Sequence, residues 1–156
     1  MSLLYLCLGS NLGQREEYFF KVMQEIEERI GPILARSAFY ETEAWGYESK
    51  NKFLNACIAV RTELSPVDCL LHLKESENRL GRLKSSGNGY SDRVIDVDIL
   101  FYDDLIMNDQ ELVIPHPRMH ERSFVLIPLS EIAPDFIHPV LKKSIKTLLG
   151  EINLQP

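Results

Sequence analysis

The segment Arg93-Val94-Ile95-Asp96-Val97-Asp98-Ile99-Leu100 sets two carboxylates two residues apart inside an otherwise apolar run. Its Val and Ile content predicts a strand from Arg93 to Tyr102, and strand alternation puts Asp96 and Asp98 on one face, roughly 7 Å apart at their alpha carbons. Burying two like charges side by side costs on the order of several kcal/mol unless a proton or a cation compensates them. A hard divalent metal with oxygen ligands is the natural compensator, and Mg²⁺ held by so few carboxylates needs substrate phosphates to complete its shell. The same pair also fits an exposed sheet face whose acids meet Lys or Arg.

Basic residues flank the pair. Arg79, Arg82, Lys84 and Arg93 against Asp92 give 4 − 1 = +3 over the window Arg79 to Arg93, and His116, Arg118, His120 and Arg122 follow further on. Together with the acidic pair they suggest a metal–phosphate clamp; singly, an ordinary solvated patch is the commoner fate of such runs.

The elements that must position these groups are legible from periodicity. Leu3 to Leu8 reads as a buried strand ending in the turn Gly9-Ser10-Asn11, and Phe19, Val22, Met23, Ile26 and Ile30 predict a helix from Gln14 to Ile30, stopped by Gly31-Pro32. Strands are expected over Ile33–Thr42 and Phe53–Thr62, with a loop from Glu43 to Lys52 between them. In the second strand Phe53, Asn55 and Cys57 share one face, while Leu54, Ala56, Ile58 and Val60 form the core set on the other. Ser65-Pro66-Val67-Asp68 opens a second helix that closes at Gly81. The glycine-rich, polar stretch Arg82 to Asp92 is a loop. After the strand through the acidic pair come a hairpin around Asp103 to Asp109, a break at Pro115-His116-Pro117, and helices over Arg122–Ile132 and Ser144–Ile152. The order β-α-β-β-α-β places the chain in the α+β class, as a ferredoxin-like core of antiparallel sheet and packed helices, with a C-terminal hairpin and helices added.

The 156 residues suit a single domain spanning 1–156, and 45% apolar content with scattered Gly and Pro excludes disorder and low complexity. A net charge of −6 disfavours nucleic acid and anionic membrane as partners. Cys7, Cys57 and Cys69 lack metal or disulfide spacing, and no segment reads as a signal peptide or a spanning helix, so a soluble cytoplasmic protein is expected.

Across this framework the chain resembles the 6-hydroxymethyl-7,8-dihydropterin pyrophosphokinases of folate biosynthesis. The resemblance runs from Leu4-Tyr5-Leu6-Cys7-Leu8-Gly9-Ser10-Asn11-Leu12-Gly13 through Phe39-Tyr40-Glu41-Thr42-Glu43, Phe53-Leu54-Asn55-Ala56 and Glu77-Asn78-Arg79-Leu80-Gly81-Arg82. It continues through the Asp-x-Asp strand to Pro115-His116-Pro117-Arg118-Met119-His120-Glu121-Arg122-Ser123-Phe124-Val125-Leu126. It implies transfer of diphosphate from ATP to the hydroxymethyl oxygen of the pterin, releasing AMP. Asp96 and Asp98 would hold two Mg²⁺ ions that come with ATP, and Arg82 and Arg93 would act on the phosphates as catalytic cations. Lys74, Glu77, Lys84, Ile99, His116 and Arg122 would complete the ATP site. Phe53 and Phe124 would sandwich the pterin, with Asn55, Thr42, Asp96 and Trp45 around it. The implied partners are these two small molecules alone, bound by a monomer.

The chain departs from the family pattern at three places. Tyr90-Ser91-Asp92 stand where Trp-Gly-Pro is common, Lys84 replaces an arginine, and Pro117 follows His116. Two other classes stay open on the residues alone: a nucleotide-sugar transferase using Asp-x-Asp, and a non-catalytic ferredoxin-like binding module. Convergence of Arg82, Arg93, His116 and Arg122 on the acidic pair separates the enzyme from both.

Overall fold

A computed structural model describes residues 1–43, 52–81 and 94–153. Strand β1 (Ser2–Ser10) is the spine of the sheet, because both of its faces are apolar and it pairs on both edges. On one side it meets β4 (Phe53–Thr62), and on the other β5 (Asp96–Tyr102), both antiparallel. Beyond β4 lie β2 (Ile33–Arg36) and β3 (Tyr40–Thr42), so the order is β2-β4-β1-β5 with β3 also on β4. That is the ferredoxin-like arrangement expected from the element order.

The single strand expected over Ile33–Thr42 is broken in two. Ser37 interrupts it: its N–H donates to the Cys57 carbonyl at 2.9 Å, and its Oγ accepts the Cys57 N–H at 2.9 Å in place of a backbone carbonyl. A side-chain acceptor keeps Cys57 satisfied while the chain bends. Strand β5 starts at Asp96, after Val94 and Ile95, since its pairing with β1 begins at Gly9 and Asp96; Arg93, where the strand is expected to begin, lies outside the described residues.

Helices α1 (Arg15–Arg29) and α2 (Pro66–Arg79) cover one face, packing Phe19, Val22, Ile26 and Leu73 on Leu4, Leu6, Leu8, Ala56, Ile58 and Val60. Ser65 caps α2 by accepting the Asp68 N–H at 3.2 Å. Glu25 of α1 bonds Arg79 and, at 3.1 Å, the Ser76 hydroxyl of α2. Arg79 therefore serves helix packing.

The opposite face is not left to solvent. Helices α3 (Ser123–Ile132) and α4 (Ile145–Asn153) bury Val125, Leu126, Leu129, Ile145 and Leu148 against Tyr5, Cys7, Cys57 and Ala59. Between them Tyr5, Phe101 and Phe136 pack ring against ring, at 5.1 Å for Tyr5–Phe136 and 4.6 Å for Phe101–Phe136. The expected hairpin is the short pair β6 (Met107–Asn108) and β7 (Val113–Ile114). Among the described residues no helix is long and apolar enough to cross a membrane.

Two glycines make contrasting demands. A Cβ at Gly31, where φ is +157°, would lie 1.8 Å from the Arg61 carbonyl oxygen, whereas one at Gly150, inside α4, would meet nothing within 4 Å. Gly31→Ala should therefore destabilise by about 3 kcal/mol or more. Gly150→Ala should stabilise by about 0.5–1 kcal/mol. Urea unfolding midpoints of the two variants check both, and equal midpoints would contradict the close approach.

His138 supplies a pH prediction. It is buried, its Nδ1 accepts the N–H groups of Val140 and Leu141, and burial followed by the charge of His120 pushes its pKa down to about 4. Above pH 6.5 it is neutral folded or unfolded; between pH 6.5 and 4 only the unfolded chain takes the proton. Stability should fall across that window by at most about 1.4 kcal/mol per pH unit from this group. His138→Asn, which retains an acceptor, should flatten the curve in urea titrations at pH 7, 6 and 5.

Candidate active site

The register of three strands assembles the site. Gly9 of β1 pairs with Asn55 of β4 on one side and Asp96 of β5 on the other; one step back, Cys7 lies between Cys57 and Asp98. Directly paired residues share a face. Phe53, Asn55, Gly9, Asp96 and Asp98 thus lie on one surface, the one whose lower part α3 and α4 cover. Asn55 is 3% exposed, while Phe53, Gly9, Asp96 and Asp98 keep intermediate exposure.

Asn55 is oriented by its neighbours. Its Nδ2 donates to Thr42 Oγ1 at 2.8 Å and to the Tyr40 carbonyl at 3.3 Å, both across the β3–β4 pair. With the amide hydrogens so used, Oδ1 is the atom turned over Gly9: a Cβ there would lie 3.8 Å from Asn55 Oδ1 and 3.8 Å from the Phe53 ring. Glycine leaves that space clear beside an acceptor and an aromatic face, which is what a flat heteroaromatic ligand needs.

Arg15 holds this edge of the sheet, donating to Glu41 of β3 at 2.9 Å and to the Lys52 carbonyl just before β4 at 2.9 Å. Nothing in the periodicity singled out Arg15 or the Tyr40 carbonyl, since both act through long-range pairing.

The acidic pair sits at the sheet edge, where strands usually need a cover. Glu77 of α2, 3% exposed, provides it by accepting the Val97 N–H at 3.0 Å, between the two aspartates. Its expected place on the nucleotide side thus coincides with a strap on β5. Ile99, expected near the nucleotide, is 4% exposed and its side chain is in the core with Val97. By alternation its backbone groups point outward from the edge, as the Val97 N–H does, so only its main chain can meet a ligand. Lys74 is exposed on α2, one turn from Glu77.

A bulge follows. Leu6 pairs with Ile99 and Tyr5 with Phe101, so Leu100 is the extra residue, and its carbonyl accepts the His116 N–H at 3.1 Å. The bulge thereby anchors His116 beside the site. His116 Nδ1 accepts the Arg118 N–H at 3.2 Å, leaving the proton on Nε2. Burial first, then the cations Arg122 and Arg118, push its pKa down to about 4 against the opposing pull of Asp96. It is a neutral donor at pH 7 within electrostatic reach of Arg122 and Asp96.

Arg122 is 8% exposed and its guanidinium lies 5.6 Å from the centre of the Phe124 ring. Phe124 opens α3, which is tied to β4 by the Cys57 thiol on the Val125 carbonyl at 3.6 Å. His120 turns away from this group toward His138, 6.5 Å ring to ring. Of the four residues expected to converge, His116 lies within electrostatic reach of Asp96 and of Arg122; Arg82 and Arg93, with Lys84 and Trp45, lie outside the described residues.

Asp96 and Asp98 suit a hard cation, offering oxygen donors on one face. Among the described residues no cluster of three or more His, Cys, Asp or Glu could enclose a metal. The two carboxylates therefore fit an ion that brings other ligands with it, as Mg²⁺ on a polyphosphate does.

Known proteins share both pattern and fold. A pyrophosphokinase for 2-amino-4-hydroxy-6-hydroxymethyldihydropteridine from Porphyromonas gingivalis is 46% identical over 142 residues, spanning 89% of this chain and 95% of its own. One of the same name from Aquifex aeolicus is 39% identical over 156 residues, spanning 100% of this chain and 96% of its own. A crystal structure of an HPPK-DHPS protein with substrates superposes with a TM-score of 0.79 at 16% identity, covering 96% of this chain and 43% of that one. The wild-type Plasmodium falciparum HPPK-DHPS gives 0.77 at 16%, with 96% and 44% covered. This chain spans less than half of those longer proteins, and at such identity the likeness concerns the fold. Residues 5–134, which include the strand row, the acidic pair and the start of α3, match the 7,8-dihydro-6-hydroxymethylpterin-pyrophosphokinase profile, and the chain belongs to that family.

Proposed function

We propose that this chain transfers diphosphate from ATP to the hydroxymethyl oxygen of 6-hydroxymethyl-7,8-dihydropterin in folate biosynthesis, with the strand row Asn55–Gly9–Asp96 as the point where the two substrates meet. The row carries the assignment because it sets an oriented amide, a clear surface and a carboxylate side by side. The pterin stacks between Phe53 and Phe124, presents ring N–H groups to Asn55 Oδ1, and abuts Thr42 and Asp96.

In the reaction the hydroxymethyl oxygen forms a bond to the β-phosphorus while the bridging bond to the α-phosphate breaks, and AMP departs. Asp96 and Asp98 would hold Mg²⁺, two ions in this reading, and the bound metal would supply neutralisation of phosphate charge and alignment of the reacting groups. His116 donates from Nε2 without adding a charge, Arg122 adds one, and Arg82, Lys84 and Arg93 complete the phosphate contacts. Lys74, Glu77 and the Ile99 backbone edge flank the nucleotide, and Trp45 belongs to the pterin side. Fixed position and electrostatics supply most of the rate.

The protein acts as one cytoplasmic domain over 1–156, without a second subunit. Its three free, buried cysteines suit a reducing compartment. A nucleotide-sugar transferase or a non-catalytic module finds no support beside the family membership.

Asp96→Ala and Asp98→Ala should each keep the far-ultraviolet circular dichroism of the fold and lower AMP formation by roughly a thousandfold or more. The assay combines enzyme, ATP, Mg²⁺ and the pterin alcohol, with nucleotides separated by chromatography. ADP as the product, or near-normal turnover in either variant, would overturn the assignment.

A further inference from the structure

The two walls of the pterin slot belong to different parts of the fold. Phe53 and Asn55 ride on β4, whereas Phe124 rides on α3. One exposed carboxylate joins them. Glu131, near the C-terminal end of α3, accepts the Ala38 N–H with both oxygens, at 3.1 and 2.9 Å, and also accepts the Tyr40 hydroxyl.

Both donors have reason to need it. Ala38 follows Ser37 at the break between β2 and β3, where its N–H has left the ladder. Tyr40 opens β3, pairs with Asn55, and its carbonyl is one of the two acceptors that orient the Asn55 amide; the other, Thr42 Oγ1, lies two residues on in the same strand. The hydrogen bond to Glu131 holds the Tyr40 hydroxyl in its protonated, donating form and raises its pKa above the ordinary value.

Glu131 and Phe124 are seven residues, hence two helical turns, apart and share a side of α3. A charged acceptor meeting two convergent donors, one of them shared between both of its oxygens, is more directional than an ordinary surface carboxylate, which is mostly solvated. From this geometry we infer that Glu131 is a positioning residue for pterin recognition: it locks α3 onto β3, fixing the Asn55 amide through Tyr40 and Thr42 and the spacing of Phe124 from Phe53. The inference rests on the slot formed by Phe53, Asn55 and Phe124, and on nothing at the phosphates.

Steady-state kinetics of Glu131→Ala, Glu131→Gln, Tyr40→Phe, the double variant Tyr40→Phe/Glu131→Ala and the reference Asn55→Ala test it. Glu131→Ala should raise the pterin KM about five- to tenfold and the ATP KM less than about twofold. Glu131→Gln, which keeps an oxygen for the Ala38 N–H, should recover part of the loss. Tyr40→Phe removes one hydroxyl and spares the backbone corner, so it reports even if Glu131→Ala folds poorly. The double variant should be no worse than Glu131→Ala, as members of one network are.

A lower urea midpoint with both KM values unchanged would overturn the inference by making Glu131 purely structural, as would additive losses in the double variant. A raised pterin KM in Asn55→Ala alone would overturn the clamp and leave the slot standing. An unchanged pterin KM in Asn55→Ala would overturn the slot and the clamp together.

Discussion

The pairing of β1 with β4 and β5 in one register is the constraint on which the site depends. Side chains alternate with a period of two, so a slip of one residue along β5 would carry Asp96 and Asp98 onto the face where Leu4, Leu6 and Leu8 pack, and would expose Val97 and Ile99. Desolvating two carboxylates and exposing two aliphatic residues oppose the slip together. The apolar core therefore enforces the orientation of the acidic pair. Glu77 reinforces it by occupying the Val97 N–H at the sheet edge, where another strand could otherwise add.

A face that must both pack and bind is divided along its length. Toward Tyr5 and Ala59 it is closed by α3 and α4; toward Gly9 and Phe53 it stays partly open. The boundary runs through the row Cys57–Cys7–Asp98, where the Cys57 thiol meets the Val125 carbonyl at the start of α3. Phe124 and Arg122 gain their position from that junction. The candidate ligand surface is thus the uncovered end of a close-packed hydrophobic core.

His116 shows how a small irregularity serves the chemistry. The bulge at Leu100 turns one carbonyl to the His116 backbone, and the Arg118 N–H fixes its tautomer. Held between Arg122 and Asp96, with burial dominant, the ring stays uncharged and offers a proton from Nε2. A neutral N–H donor beside Asp96 can bond an anionic group without forming an ion pair with the carboxylates.

By itself the sequence determined the element types, the face alternation of β4, the Ser65 cap and the carboxylate pair, because period and propensity act over a few residues. The family resemblance carried the ligand set; the sheet register puts Phe53 and Asn55 on the face of Asp96 and Asp98, and His116 lies within electrostatic reach of Asp96 and Arg122. Tertiary structure alone decided the rest. It set the break at Ser37, the core burial of the Ile99 side chain, the diversion of Arg79 to Glu25 and of His120 to His138, and the bonds from Glu131 to a strand some ninety residues earlier. Each of those depends on groups distant in the chain, and local spacing carries no information about which distant groups folding brings into contact.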